Sequence, residues 1–249
     1  MYGATTSKTR LADSRKLLEW IYAKIPATKG CMENIAKPAS EGGCGAWCCQ
    51  TQQPQVLYAE FMNTLHHVKT NWSYDKFVGL VELAMRAYLF EEHRKGCIFW
   101  DKESLMCSQH NTRPYNCRIY GIVPEEEFTP RYERLKVLYP DTRNQCNLVS
   151  TVNGKTVTKT DTDAWWKMME NAEKGLGIKP QDISDNFGGS YRTYYEHLLL
   201  ETMGEDGMVM LSHMRVHGSN EEKEAIIQQA VAGLRSFVHE RTKSEDNNV

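Results

Sequence analysis

The 249-residue chain has no long apolar run and almost no net charge. Its most apolar helix-like stretch, residues 77–90, is interrupted by Glu82 and Arg86 and is too short to span a bilayer. The formal net charge is −2, so the composition provides no general attraction to nucleic acid or to an anionic membrane. The sequence therefore predicts a globular protein that binds neither a membrane nor a nucleic acid.

The first thirty residues also lack the apolar core of a secretory signal and carry charged side chains such as Lys8, Arg10 and Asp13. We therefore expect a cytoplasmic location, where thiols stay reduced. The eight cysteines are then expected to bind a metal or to take part in catalysis. Four disulfides are the disfavoured alternative, because a chain of this length folds without covalent staples.

Apolar residues at helical spacing indicate helices in the first part of the chain. Leu17, Ile21 and Ile25 lie four residues apart, as in an amphipathic helix with one buried face. Ser73 can cap a second, long helix that runs through residues 73–93. These patterns predict that the fold is mainly α.

Three further helical patterns follow, over residues 162–177, 190–204 and 219–243. The second is expected to end at Gly204, because glycine commonly terminates helices. The third opens with Ser219 and Glu222 at the spacing of a capping box. The second half of the chain is therefore also predicted to be helical.

One small β-hairpin is predicted around Asn153-Gly154, where β-branched and polar residues alternate over residues 148–160. The whole pattern predicts an irregular helical fold with long cysteine-bearing loops and this single hairpin. We expect a cysteine-cluster metal-binding domain at 1–149, a helical region packed on it at 150–242, and a disordered tail at 243–249. The alternative is that the first two regions form one single domain.

The cysteines form two groups in segments expected to be loops. They are Cys31, Cys44, Cys48 and Cys49, then Cys97, Cys107 and Cys117 at ten-residue intervals, with Cys146 further on. Soft thiolates at several close spacings suit zinc or an iron–sulfur cluster. Side chains of neighbours such as Cys48 and Cys49 are expected to point apart. Either one thiol binds the metal and the other only packs, or the two thiols face different metal centres or different irons.

Two arginines flank the cysteine of the segment Arg113-Pro114-Tyr115-Asn116-Cys117-Arg118. A metal centre held by four thiolates is anionic, so Arg113 and Arg118 are expected to neutralise it and to donate hydrogen bonds to sulfur. Surface salt bridges are the alternative role for both side chains. His110 lies in the same segment and is a further candidate ligand or proton donor.

The segments "GGCGAWCC" (42–49) and "GCIFWDKESLMCSQHNTRPYNCR" (96–118) resemble the YkgJ-like, or CxxCxxCC, family of zinc- or iron-chelating domains. Family members show a cysteine followed by C-G-x-C-C, then a C-P-F-L-like segment, C-S-I-Y and R-P-x-x-C-R. The second half matches closely through Cys97-Ile98-Phe99, Cys107-Ser108 and the Arg113–Arg118 segment. The first half departs from the pattern, because Trp47 widens the gap before Cys48 and Cys31 lies far upstream. The resemblance covers residues 31–121.

This resemblance implies metal binding by the cysteines. We expect a 4Fe-4S iron–sulfur cluster in a redox or modifying enzyme of unassigned substrate and partner; a structural zinc module of an adaptor protein is the alternative. A third reading is a protein methylase, since one branch of the family resembles flagellin lysine-N-methylases, which use S-adenosylmethionine. The chain has no glycine-rich loop that would bind that cofactor on its own. The cysteines expected to be indispensable are Cys44, Cys49, Cys107 and Cys117, with Cys97 and Cys146 completing the set or a second site.

His213 and His217 are four residues apart, a spacing that lets two side chains share a metal on one helix face. The glutamate that zinc proteases carry between such histidines is replaced by Met214 and Arg215. That hydrolytic mechanism is therefore excluded, and the pair is expected to be an ordinary surface pair.

Overall fold

Helices make up most of the computed structural model, which describes residues 8–31, 37, 41, 43, 46–51, 53–94, 96–127, 129, 133, 137, 148–178 and 191–246. The helices are α1 (Lys8–Tyr22), α2 (Trp47–Thr51), α3 (Tyr58–Asn71), α4 (Tyr74–Leu89), α5 (Tyr115–Ile119), α6 (Lys159–Gly175), α7 (Tyr194–His217) and α8 (Asn220–Asp246), with a 3₁₀ turn at His110–Thr112. The strands are β1 (Thr28–Lys29), β2 (Gln55–Val56), β3 (Trp100–Asp101), β4 (Met106–Cys107), β5 (Ser150–Thr151) and β6 (Arg192–Thr193). The predicted mainly α fold is confirmed. None of the described helices is long and apolar enough to cross a membrane.

The helix starts follow local capping chemistry. The Ser73 hydroxyl accepts the Lys76 backbone amide at 3.3 Å and caps α4, as predicted. Before α8, Ser219 and Glu222 exchange side-chain and backbone hydrogen bonds of 2.7 and 3.2 Å, which confirms the predicted capping box. Each of these bonds satisfies a backbone donor that has no partner within its own helix.

One continuous hydrophobic cluster joins the helices of both halves of the chain. Leu18 and Ile21 of α1 are completely buried where that helix packs on α3 and α6. On α4, Val78 and Met85 are buried in the face that packs against α7 and α8. Burying each such side chain stabilises the fold by roughly 1.5–3 kcal/mol. The helices after residue 150 therefore complete the core of the cysteine-bearing half.

Two short strand pairs attach the cysteine-bearing loops to the C-terminal half. Thr28 pairs with Thr151 in the antiparallel β1–β5 ladder, which ends just before Cys31. Gln55 pairs with Thr193 in the β2–β6 ladder, four residues after α2 ends. These pairings fix the entry and exit of the loop that carries the first cysteine group.

The prediction of a hairpin around Asn153-Gly154 is wrong. The strand β5 pairs with β1 instead of with the residues that follow the turn. The Thr151 hydroxyl donates to the Lys155 carbonyl at 2.8 Å, and the Lys155 amide donates to the Asn153 side chain at 3.1 Å. These local side-chain bonds close the turn in place of a ladder, and α6 then begins directly after Thr158.

Within the described residues, a hairpin lies inside the second cysteine group. Trp100 pairs with Cys107 and Asp101 with Met106, so β3 and β4 form one tight antiparallel pair. The Asp101 carboxylate accepts hydrogen bonds from the Glu103 amide at 3.0 Å and the Ser104 hydroxyl at 2.8 Å. The turn is therefore stabilised by an aspartate, without the Asn-Gly signal that indicates most tight hairpins.

Gly204 ends the first part of α7, as predicted, and a second helical part then continues to His217. Gly204 adopts non-helical angles, φ 72° and ψ −175°, and kinks the helix there. Glycine tolerates this positive φ, so the chain bends and then resumes its helix. At the C-terminus, α8 runs to Asp246, into the segment expected to be a tail, and residues 247–249 lie outside the described ranges.

Candidate metal centre

Six of the eight cysteines lie in the described part of the chain, and all six are partly buried free thiols. They are Cys31 after β1, Cys48 and Cys49 on α2, Cys97 before the β3–β4 hairpin, Cys107 on β4 and Cys117 on α5. Cys44 and Cys146, both expected ligands, lie outside the described residues. The described thiols therefore come from separate elements that the fold brings together.

Backbone hydrogen bonds connect the two cysteine groups. The Cys97 amide donates to the Cys49 carbonyl at 2.7 Å, which joins the second group to α2. The Trp100 amide donates to the Cys97 carbonyl at 3.0 Å, and Trp100 pairs with Cys107 across the hairpin. Three cysteines are thus tied to one another through main-chain contacts.

The thiols are close enough for their charges to interact. Burial raises the pKa of the Cys97 and Cys117 thiols well above the ordinary thiol value, and the neighbouring Cys107 raises both further. Cys48 adds to the rise in pKa of the same two thiols and of Cys107. Cys31 also adds to the rise in pKa of Cys107. Cys97, Cys107 and Cys117 therefore prefer to be neutral unless a cation is present.

The neighbours Cys48 and Cys49 do not face different surroundings, contrary to the expectation that they point apart. A hydrogen bond with the Cys48 thiol lowers the pKa of Cys49, but burial and the nearby Cys97 outweigh it and leave that pKa raised. Both side chains interact with the second cysteine group.

The donor chemistry of this cluster fits a soft or borderline metal, because the convergent side chains are all thiols. Within the described ranges, no three cysteine, histidine, aspartate or glutamate side chains are grouped so that they could hold one metal ion. The fit therefore rests on the type of donor and on the charge interactions among the described thiols.

Arg113 faces the thiols. Its guanidinium lowers the pKa of Cys107 and of Cys117, against the effect of burial. One of its nitrogens, Nη2, also donates to the Thr28 hydroxyl at 3.2 Å, beside the loop that leads to Cys31. This placement agrees with the expected role of Arg113 as the cation beside an anionic centre.

Arg118 has a different environment. Its Nε donates to the Arg113 carbonyl at 2.8 Å and its Nη2 to the Asn111 carbonyl at 2.9 Å. The guanidinium lies 4.0 Å from the centre of the Tyr22 ring on α1. Arg118 therefore fixes the turn before α5 and stacks on an aromatic ring, which is neither of the roles expected from the sequence.

A buried carboxylate that the sequence analysis missed anchors the Cys117 helix. Glu60 of α3 is 2% exposed and accepts hydrogen bonds from the Tyr22 hydroxyl at 2.7 Å and the Leu57 amide at 3.1 Å. It also accepts the Tyr115 amide at 2.5 Å, at the first residue of α5. The only signal in the sequence is one acidic residue within the otherwise apolar run 56–61.

Tyr194 places a buried aromatic ring beside the thiols. The sequence analysis missed this residue too. Its ring is 2% exposed and meets Phe99 edge to face with centres 4.8 Å apart. Its hydroxyl shares a hydrogen bond of 3.1 Å with Thr64. Burial raises the pKa of Tyr194, and the nearby Cys117 adds to that rise, so the phenol stays neutral. Nothing in the local sequence relates Tyr194 to a cysteine 77 positions earlier.

His110 lies half-buried near the two arginines. Burial, Arg113 and Arg118 together lower the pKa of His110 to about 4. The imidazole is therefore neutral at physiological pH and does not carry the second ring proton that a general acid would donate.

The cysteine thiols thus form a candidate metal site beside buried polar and aromatic side chains. Residues 41–149 match the model of the CxxCxxCC family, described as a "putative zinc- or iron-chelating domain". The matched range contains every cysteine except Cys31. The resemblance seen in the motifs is thereby confirmed, and metal binding is supported. No curated protein and no solved structure matches the chain.

Glu60→Gln should remove part of the pH dependence of stability. Burial raises the pKa of Glu60 above its ordinary 4.5, so the folded chain binds that proton more tightly than the unfolded chain. Its contribution to stability is therefore complete below pH 4.5 and is lost as the pH rises through the raised pKa. Glutamine imitates the protonated carboxyl. Urea unfolding at fixed metal content, repeated across this pH range, measures the difference.

Glu103→Gln is the matched control, because Glu103 is exposed in the β3–β4 turn. It should keep the pH dependence of the wild-type chain. The same slope of unfolding free energy against pH in all three proteins would show that Glu60 is not the buried group assigned here.

Proposed function

We propose that the cysteine cluster holds an iron–sulfur cluster of the 4Fe-4S kind, in a protein with a redox or modifying role. The observation that carries this proposal is the arrangement of the thiols. They converge from separate elements, and Cys31 and Cys48 both act on the pKa of Cys107. Soft thiolates that converge in this way suit a 4Fe-4S cluster, which is held by four cysteines.

Charge supports the same proposal. A cluster bound by four thiolates is anionic, and the Arg113 guanidinium already acts on Cys107 and Cys117. The buried thiols have raised pKa values, so loading the site must release protons, and the metal's positive charge compensates for their loss. We also propose a cytoplasmic location, because a reducing compartment keeps the thiols free for this use.

Protein purified without oxygen should contain iron and inorganic sulfide and should absorb visible light. Cys107→Ser and Cys117→Ser should each lose most of the iron, because both thiols lie in the matched family range and beside Arg113. Cys31→Ser is the matched control and should retain most of it, since Cys31 lies outside that range. Elemental analysis together with absorption spectra provides the measurement.

Zinc without iron, under every anaerobic growth condition, would reject the iron–sulfur proposal and support a structural zinc site. Full iron content in the Cys117→Ser protein would reject the ligand assignment. Purification in air is not a valid control, because damaged clusters leave thiolates that zinc then occupies.

Arg113→Ala should lower the reduction potential of the bound cluster by tens of millivolts. Removing a neighbouring positive charge disfavours the more negative, reduced form, and about 59 mV corresponds to a tenfold change for one electron. Arg118→Ala is the comparison, since Arg118 bonds to turn carbonyls and stacks on Tyr22. It should mainly lower the unfolding free energy. Redox titration and urea unfolding of both variants provide the measurements. A lower potential in Arg118→Ala but not in Arg113→Ala would contradict the assignment.

A further inference from the structure

The last two turns of α7 present two imidazole rings side by side. His213 and His217 are both exposed, and their ring centres are 4.7 Å apart with the planes inclined by 44°. In the part of the chain that the structure describes, neither ring makes a hydrogen bond or an ion pair. The nitrogens of both rings are therefore open to an external ligand.

The helix holds these rings at a fixed spacing. Residues four apart lie on one face of an α-helix, so both rings can reach one ion without a change of backbone. The turn is closed at its end by the Gly218 amide, which donates to the Met214 carbonyl at 2.8 Å. The conformational entropy lost on metal binding is therefore confined to these two side chains.

The surroundings leave room for a cation. Arg215 lies between the histidines in sequence, but its guanidinium is placed over the Tyr88 ring at 5.3 Å, towards α4. Met210 precedes His213 by one turn and is 42% exposed, so its thioether is a soft donor on the same side of the helix. The Arg215 charge is thus held over Tyr88 and not between the two imidazoles.

We propose that His213 and His217 chelate a divalent first-row transition metal at a surface site separate from the cysteine cluster. Imidazole ligands suit zinc, nickel and copper, and Cu²⁺ should bind most tightly of these. Water and the Met210 thioether complete the coordination. The missing protease glutamate excludes peptide hydrolysis at this pair, but it does not affect binding.

Ni²⁺ is the probe for the test, because thiols reduce Cu²⁺. Untagged protein whose cysteine site is filled with its own metal should bind one further Ni²⁺ per chain in a calorimetric titration. His213→Ala and His217→Ala should each weaken this binding by on the order of a hundredfold, the gain expected from a second tethered ligand. His66→Ala is the control and should bind like the wild type, since adjacent residues such as His66 and His67 do not face each other on a helix.

A second variant tests the spacing itself. Val209 is 69% exposed and lies four residues before His213, so Val209→His in the His217→Ala background rebuilds the pair one turn earlier. Binding of Ni²⁺ should return. The proposal is overturned if the wild type binds no further Ni²⁺, if His217→Ala binds as well as the wild type, or if the Val209→His change does not restore binding. None of these outcomes depends on which metal the cysteines hold.

Discussion

The geometry of the cysteine cluster depends on one buried carboxylate. Glu60 joins three elements, because its oxygens receive the Tyr22 hydroxyl of α1, the Leu57 amide at the start of α3 and the Tyr115 amide at the start of α5. A buried carboxylate is costly unless such donors surround it, so these partners are fixed in position. The short helix that carries Cys117 therefore has a defined place relative to the core.

A second constraint opposes assembly of the thiols. Burial and mutual repulsion of the ionised forms raise their pKa values, and backbone hydrogen bonds from Phe99 and Gln109, together with the Arg113 guanidinium, offset part of this rise. Each unit of raised pKa costs about 1.4 kcal/mol on ionisation. Binding of a structural metal by thiolates is worth roughly 10–16 kcal/mol in small zinc domains. A bound metal can thus outweigh the ionisation of several buried thiols, which links metal loading to the stability of this region.

Features set by neighbouring residues could be predicted from the sequence. The Ser73 cap and the Ser219–Glu222 capping box follow from short-range bonds, and the cysteine motifs identified the family. The hairpin was misplaced because the Thr151 hydroxyl closes its turn locally, which no count of alternating residues reveals. The Glu60 contacts were missed because Tyr22 and Tyr115 lie 38 and 55 residues away. Such pairings arise only when the core brings helices together.

The central claim is that the cysteine thiols hold the metal. X-ray absorption at the metal edge of anaerobically purified protein tests this most directly, because it reports the atoms bound to the metal. The account predicts a shell of sulfur neighbours at about 2.3 Å, and a second shell of iron if the centre is a cluster. A spectrum fitted by oxygen and nitrogen neighbours alone would contradict it.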